Sequence, residues 1–477
     1  MGFAKYEEYK DSGVEWLGEV PRHWIISKFG YLKTVLTDYT ANGSFADLKK
    51  NVHYLSSPSH ARLVRLTDLR KGLKNQDGVW ISESAYEYLS KSALHGGEFL
   101  LANVGAYAGL FYQMPYNSGL ASLAPNMFMA KFDPLKVHPE FISLVAVSKS
   151  THEQLKLLAT SSSAQPKLNK DDFKSVVVVV PPLSEQTQIA LFLDHETSRI
   201  DALIAEQARL IALLKEKRQA VISHAVTKGC DPSVPMKDSG VEWLGEIPEH
   251  WGVKRLKFLV FDIEGGASPQ CHSYSPREGE WGVLKSGCVN GGVFNAQESK
   301  TLPKEISPTL ELKVSKGDVL MSRASGSINL IGSVAIVEAQ PRANLLLSDK
   351  TFRLKLRPEI IDSHFFVTVM GTSLVRLQIR QAISGAEGLA NNIAQSNIKE
   401  FTLPYPPINE QKQIIHAIGR QIDRIQNLSN TSGKTLTLLK ERRSALISAA
   451  VTGKIDVRNW QPPADTPSTT ASAIAHH

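Results

Sequence analysis

Cysteine is scarce in this chain. Its 477 residues hold three, Cys230, Cys271 and Cys288, an odd number with no CxxC spacing. No disulfide framework or thiolate zinc site is expected from them, and a reducing cytoplasm fits. Long apolar runs are missing too. None approaches the ~20 residues needed to span a bilayer, and the longest β-branched stretch, Val176–Val180, is closed by Pro181 and Pro182. The N-terminal MGFAKYEEYKDSG is polar and charged, unlike a signal peptide, so no membrane partner is expected. Enzyme signatures also fail. Ser432-Gly433-Lys434-Thr435 ends like a phosphate-binding loop, but its first glycine would stand at 428, which is leucine, and no strand precedes it. VPPL and YPPI lack the flanking residues of an adenine-methylating (N/D)PPY, and HExxH and GxSxG are absent. Asp194-His195-Glu196 sits on a helical pattern and is expected to face solvent. A catalytic nuclease or methyltransferase is therefore disfavoured.

What the chain does have is a repeat. KDSGVEWLGEVPRHW at 10–24 returns as KDSGVEWLGEIPEHW at 237–251, differing only at Val20/Ile247 and Arg22/Glu249. PPLSEQTQI (Pro181–Ile189) returns as PPINEQKQI (Pro406–Ile414), and LLKEKRQAVISHAVT (Leu213–Thr227) as LLKERRSALISAAVT (Leu438–Thr452). The intervening segments, 25–179 and 252–404, are similar in length and share little sequence. Each copy is domain-sized, at roughly 225 residues, and long enough to bury its own core. A net charge of +7 and a pI near 9.0 lean towards a polyanionic partner.

Turn residues Ser12-Gly13, Gly18 and Pro21 surround Trp16, Leu17 and Trp24, which reads as an apolar clasp docking onto a larger body. The Trp16/Trp243 and Trp24/Trp251 pairs repeat in place, which favours packing over base stacking. The globular segment reads as mixed α/β, with strands at Leu63–Leu66, Glu98–Ala102 and Val176–Val180 and one helix over Pro139–Leu158. From Ser184 to Thr227, apolar residues recur at helical steps, with Ser184 or Thr187 as N-cap and Gly229 as C-terminal breaker. Such a helix is about 60 Å long and needs a partner helix. Glu410–Val451 supplies one, with a possible kink at Gly433.

The expected fold class is α+β: two mixed α/β heads separated by a pair of long antiparallel helices, with an internal pseudo-two-fold repeat. The division is 1–183 (clasp and first head), 184–228 (central helix), 229–236 (linker), 237–408 (second clasp and head), 409–453 (C-terminal helix) and 454–477, a tail expected to be disordered. Unlike heads on such a stalk suit two DNA half-sites roughly 34 Å apart, a bipartite and asymmetric target. Repeated scaffold surfaces suit two copies of one partner.

These residues resemble the specificity (S) subunit of type I restriction-modification systems over essentially the whole chain. The likeness rests on the duplicated KDSGVEWLGE(V/I)PxHW, the strand–Pro-Pro–xxEQxxI boundary and the LLKExR helix ends. VRLTDLRKG (64–72) and VLKSGCVNGG (283–292) resemble the family's early recognition strand and loop. GEFLLANVGAYAGL (97–110) and GDVLMSRASGSINLIG (317–332) resemble its central strand and loop. The resemblance implies a non-catalytic, cytoplasmic subunit with two target-recognition domains on double-stranded DNA. Two methyltransferase (M) subunits, using S-adenosylmethionine, would methylate adenine at N6 on a flipped base. Two restriction (R) subunits, motor-nucleases using ATP and Mg²⁺, would cleave unmodified DNA, and this chain itself would bind no cofactor and no metal.

Candidate DNA contacts are Arg65, Thr67, Lys71 and Asn103 in the first head, and Lys285, Ser286, Asn290, Ser322 and Arg323 in the second. Arg and Asn suit base edges, while Lys and Ser suit phosphate; solvated loop polarity is the alternative for each. The glycines of GAYAG and SGS either admit the duplex or simply turn the chain. Lys215, Lys217, Arg218, Lys440, Arg442 and Arg443 are candidates for partner binding, or else a solvated face near a helix C-terminus. The alternative reading of the whole chain is a non-catalytic protein-interaction rod with no DNA role.

Overall fold

The computed structural model describes residues 3–160, 166–384 and 391–462. The chain divides into two compact units that are not consecutive pieces of sequence, and the division cuts across both long helices. Unit one is Met1–Gln207 with Lys434–His477, and unit two is Ala208–Gly433.

In unit one the clasp is a hairpin pairing Tyr9–Asp11 with Glu19–Pro21, and Ile25–Lys28 then pairs antiparallel with Val177–Val180. Between these lie β1 (Lys33–Asp38), β2 (Ala61–Val64), β3 (Val79–Ile81), β4 (Ala93–Leu94), β5 (Phe99–Ala102), β6 (Phe111–Gln113), β7 (Ala121–Leu123) and β8 (Met127–Phe132). One sheet has the antiparallel order β1-β8-β5-β6; the other has the order β3-β2-β7-β4, with β2 and β7 parallel.

Unit two repeats this plan on different residues. The strands of its two main sheets are β9 (Val260–Gly265), β10 (Trp281–Leu284), β11 (Ser299–Thr301), β12 (Val319–Ser322), β13 (Val334–Ile336), β14 (Asn344–Leu346) and β15 (Thr351–Leu356). They form β9-β15-β12-β13 and β11-β10-β14, with β10 and β14 parallel. Ala324–Ser325, Ile383–Ser384 and Asn391–Ile393 form a small third sheet. Register is kept as well. The row Thr37–Met129–Leu100–Tyr112 in unit one corresponds to Glu264–Arg353–Leu320–Ala335 in unit two.

Alternation along the central strand explains why each sheet is buried on both faces. Phe99 and Leu101 join Trp24, Phe29, Phe111 and Phe173, whereas Leu100 turns to Val64, Leu123 and Met129. Val319 and Met321 likewise face one core and Leu320 another.

The long helices are Leu183–Lys228 and Ile408–Val451. They pack on each other inside each unit. Ile189, Leu193 and Ile200 share a core with Leu446, Ile447 and Ala450 in unit one, and Ala225 and Val226 with Ile414 and Ile418 in unit two. This is the expected antiparallel sense. Gly229 leaves the first helix at φ +76°, its N–H returning to the Ala225 carbonyl. Neither expected N-cap serves: the Pro182 carbonyl accepts the Glu185 and Gln186 N–H groups, so Ser184 and Thr187 lie inside the first turns. The second helix is continuous through Gly433. The helix expected over Pro139–Leu158 is two, Pro139–Val147 and Lys149–Thr160. Ser148 stands extended between them, and its hydroxyl bonds back to the Val145 carbonyl at 2.7 Å.

The repeated Glu-Gln has a structural cause. Gln186, fully buried, accepts the His138 N–H (2.7 Å) and donates to the Lys136 and Pro181 carbonyls (3.0 and 2.8 Å). Gln411 does the same with the Asp362 N–H and the Ile360 and Pro406 carbonyls. Each glutamine thereby stitches a head helix to the start of a long helix. Gln411→Ala should lower the stability of unit two by about 1–3 kcal/mol, the cost of orphaned buried polar groups. Denaturant unfolding checks this, and a melt unchanged within error would deny the stitch its role.

The packed chain extends further than expected. Ile455 and Val457 are buried, and the Asp456 N–H donates to the Ala4 carbonyl at 2.8 Å. Trp460 lies against Phe192 and His195. The remainder of the low-complexity tail, 463–477, lies outside the described residues.

Candidate functional site

In head one, β2 ends at Val64 and Arg65 leads into a short helix, Leu66–Arg70. Asp68, in the first turn of that helix, is fully buried and anchors the loop that follows. It accepts the Arg65 N–H (2.8 Å), Arg65 Nε and Nη2 (both 3.0 Å) and Asn75 Nδ2 (2.7 Å), with the Arg62 guanidinium at 3.4 Å. Burial alone would raise the Asp68 pKa, but the bonds from Arg65 and Asn75 outweigh it and hold the carboxyl below its ordinary range. Gly72 and Leu73, at φ +59° and +60°, fold the loop back so that Arg62 reaches the Leu73 carbonyl.

Arg65 is thus turned inward, its guanidinium shared between Asp68 and the Asp77 carbonyl. About a third of its side chain stays exposed, at 34%. Thr67, Arg70, Lys71 and Lys74 stand exposed, with Lys71 3.4 Å from Asp77. Arg70, which sequence reasoning passed over, lies 4.5 Å above the half-exposed Tyr107 ring of the GAYAG loop. That contact joins the Thr67/Lys71 loop to the Asn103 loop. The Asn103 side-chain oxygen is buried with no hydrogen-bond partner among the described residues.

In head two, Lys285 begins the turn Ser286–Gly292, which packs against β12 and Ala324–Ser325. Lys285 and Ser286 are half-buried, and Asn290 is exposed. Arg323 follows β12, its guanidinium 5.5 Å over the Phe352 ring and 3.4 Å from the Asp349 carbonyl. Ser322 is a correction: it is fully buried in β12, with backbone bonds to Ser333 and Gly332, and presents nothing to a ligand. Two unforeseen arginines hold the neighbouring loop. Arg376 caps the Ile328 and Ile331 carbonyls, and Arg380 donates to Asn329 Oδ1 at 3.0 Å. Their distance along the chain from that loop left no local signal.

On the long helices, Lys215, Lys217, Arg218, Lys440 and Arg442 are exposed. Arg443 is not free: it grips Asp201 through two bonds of 2.8 and 3.0 Å within unit one. His195 is also a correction, being 12% exposed and set against Trp460 rather than facing solvent. Trp24 and Trp251 are core residues, as expected, while Trp16 is 47% exposed. Buried Glu185 accepts Trp24 Nε1 (3.1 Å) and the Tyr6 hydroxyl, and pairs with His23 Nε2 (2.8 Å). In unit two, Glu410 pairs with His250 at 2.7 Å. Among the described residues no cluster of His, Cys, Asp and Glu could hold a metal ion, and no helix is long and apolar enough to cross a membrane.

The family model described as the type I restriction modification DNA specificity domain matches residues 65–211 and 248–436. The type I restriction enzyme EcoKI specificity subunit of Escherichia coli (strain K12) is 20% identical, over 93% of this chain and 91% of that one. The MjaVIII specificity subunit of Methanocaldococcus jannaschii is 22% identical over 96% and 98%. The EcoEI specificity subunit of Escherichia coli reaches 28%, over 44% of this chain and 35% of its own length. A solved chain from work on complex assembly in the type I R-M system shares the fold, with TM-score 0.65 and 15% identity, covering 91% of this chain and 98% of that chain.

Proposed function

Because the chain belongs to the type I restriction-modification DNA specificity family, we propose that it reads a bipartite, asymmetric duplex target, one half with each head. It recruits two methyltransferase subunits, which use S-adenosylmethionine to methylate adenine at N6. Through that complex it engages two restriction subunits, which use ATP and Mg²⁺. The chain itself performs no catalysis and binds neither cofactor.

One observation carries this reading: two heads whose central four-stranded sheets share order and register carry unlike side chains on corresponding loops. Head one offers Thr67, Arg70, Lys71 and Asn103, and head two offers Lys285, Ser286, Asn290 and Arg323. A shared frame with differing donors is what two half-sites of different sequence require. The exposed basic residues of the long helices, Lys215, Lys217, Arg218, Lys440 and Arg442, are assigned to the methyltransferase partners.

The test is an exchange of residues 25–179 for the matching segment of a relative, followed by mapping N6-methyladenine in cells expressing the hybrid with its partners. One half of the methylated site should change and the other should persist; a hybrid that alters neither half would overturn the proposal. Duplex affinity should also fall steeply with salt. A flat salt response would instead favour an interaction rod that binds only protein.

A further inference from the structure

Both heads make the same main-chain bond, which nothing in the sequence announces. In head one the Leu168 N–H donates to the Asn103 carbonyl at 2.8 Å, and in head two the Ile393 N–H donates to the Arg323 carbonyl at 3.1 Å. Asn103 and Arg323 hold the same place, each one residue beyond the central strand, β5 or β12. A third segment, preceding the last strand of the head, is thereby docked on the middle loop in each unit. The docking is backbone work. Val104 bridges Lys167 and the Gly105 N–H donates to the Pro166 carbonyl in head one; Ala324 pairs with Asn392 and Ser325 with Asn391 in head two. Leu168 and Ile393, fully buried, anchor the segment. The residues before them, Lys167 and Asn392, turn away from that anchor, because successive side chains of extended chain alternate. Lys167 is exposed and Asn392 partly so.

A position repeated for packing keeps its character, as Leu168/Ile393 and Gln186/Gln411 do. At Lys167/Asn392 the backbone geometry repeats while the side chain changes from ammonium to amide, as it changes beside it at Asn103/Arg323. We propose that Lys167 and Asn392 are equivalent specificity-determining residues, one per head, on a third reading segment held against the middle loop. An amide matches the paired donor and acceptor edge of adenine, and an ammonium the two acceptors of guanine. This inference rests on the DNA-reading function proposed above.

The full chain, assembled with its methyltransferase subunits, is used to select from a pool of randomised duplexes, and Lys167→Ala and Asn392→Ala are compared with the unaltered protein. Lys167→Gln and Asn392→Ser stand in should an alanine variant fail to melt cooperatively. Each variant should relax preference at one base pair by roughly 5- to 150-fold, Lys167 in one half of the site and Asn392 in the other. A uniform loss across all sequences would make the residue a phosphate contact and overturn the proposal, and so would unchanged selection. Failure of the unaltered assembly to select any sequence would instead remove the DNA-reading function itself.

Discussion

Asp68→Ala should dismantle the loop between Arg65 and Asp77 and, under the proposed function, abolish discrimination in one half-site while leaving the other intact. The carboxylate is fully buried and gathers Arg65, Asn75 and Arg62 around itself. Removing it leaves the Arg62 and Arg65 guanidiniums beside each other without their counter-charge, and breaking a buried pair from one side typically costs about 3–5 kcal/mol. Arg65, Arg62 and Asn75, which brace the loop that presents Thr67, Arg70 and Lys71, all converge on this carboxylate, so under the proposed function the loss falls on recognition first. Asp68→Asn separates shape from charge, since it retains size and some acceptors but should still lose most of the effect. The pH dependence has a definite sign. The folded Asp68 pKa lies below its unfolded value, so its contribution is present above the unfolded value, near 4. It is lost as pH falls through that value towards the folded pKa. Acid unfolding of wild type against Asp68→Asn, together with site mapping of the variant, checks both claims. A variant that kept full discrimination in both halves would show that the loop needs no central anchor.

Trp24→Ala should cost more than Trp251→Ala, although the two occupy the same repeated position. Each indole is essentially fully buried, and truncating such a residue costs about 3–5 kcal/mol through lost transfer energy and the cavity left behind. Trp24 carries an extra burden. Its N–H donates to Glu185, a buried carboxylate that also holds Tyr6 and His23. Burial and that carboxylate together drive the Tyr6 pKa well above the usual phenol range, so the hydroxyl stays a donor. Losing Trp24 removes one of the donors that hold the buried charge. The Trp251 N–H has no such partner among the described residues. Trp24→Phe should therefore recover the packing and not the bond. Native-state hydrogen exchange reads the result locally: protection should fall in unit one for Trp24 variants and in unit two for Trp251→Ala. Equal losses would deny Glu185 its part.

Much of the scaffold was legible because its signals are local and stated twice. The helix expected over Ser184–Thr227 is Leu183–Lys228, and the one expected over Glu410–Val451 is Ile408–Val451. Periodicity over so many residues leaves little freedom. The N-cap differs because Pro182 supplies a carbonyl in place of a serine side chain, and the kink expected at Gly433 is absent because the helix runs on through it. The helix break at Ser148 was hidden because apolar spacing continues on both sides of it. The heads were less readable. Their sheets pair strands distant in sequence, such as β2 with β7 and β1 with β8, and nothing local encodes that pairing. Turns do follow β2, β5, β10 and β12, but what each side chain does within them depends on tertiary contacts. Arg65 is tied to Asp68, Ser322 looks like a loop residue until β12 buries it, and Arg70 gains meaning only through Tyr107.

The contact between Ala4 and Asp456 bears on how this protein is made. The unit formed from the interior of the chain, Ala208–Gly433, has all its residues once Gly433 leaves the ribosome. The unit built from both ends must wait, with Trp24 and the first head's helices unfinished, until Trp460 emerges to cover Phe192. A premature stop after Gly433 would accordingly spare the nearer head and cripple the one encoded farthest upstream.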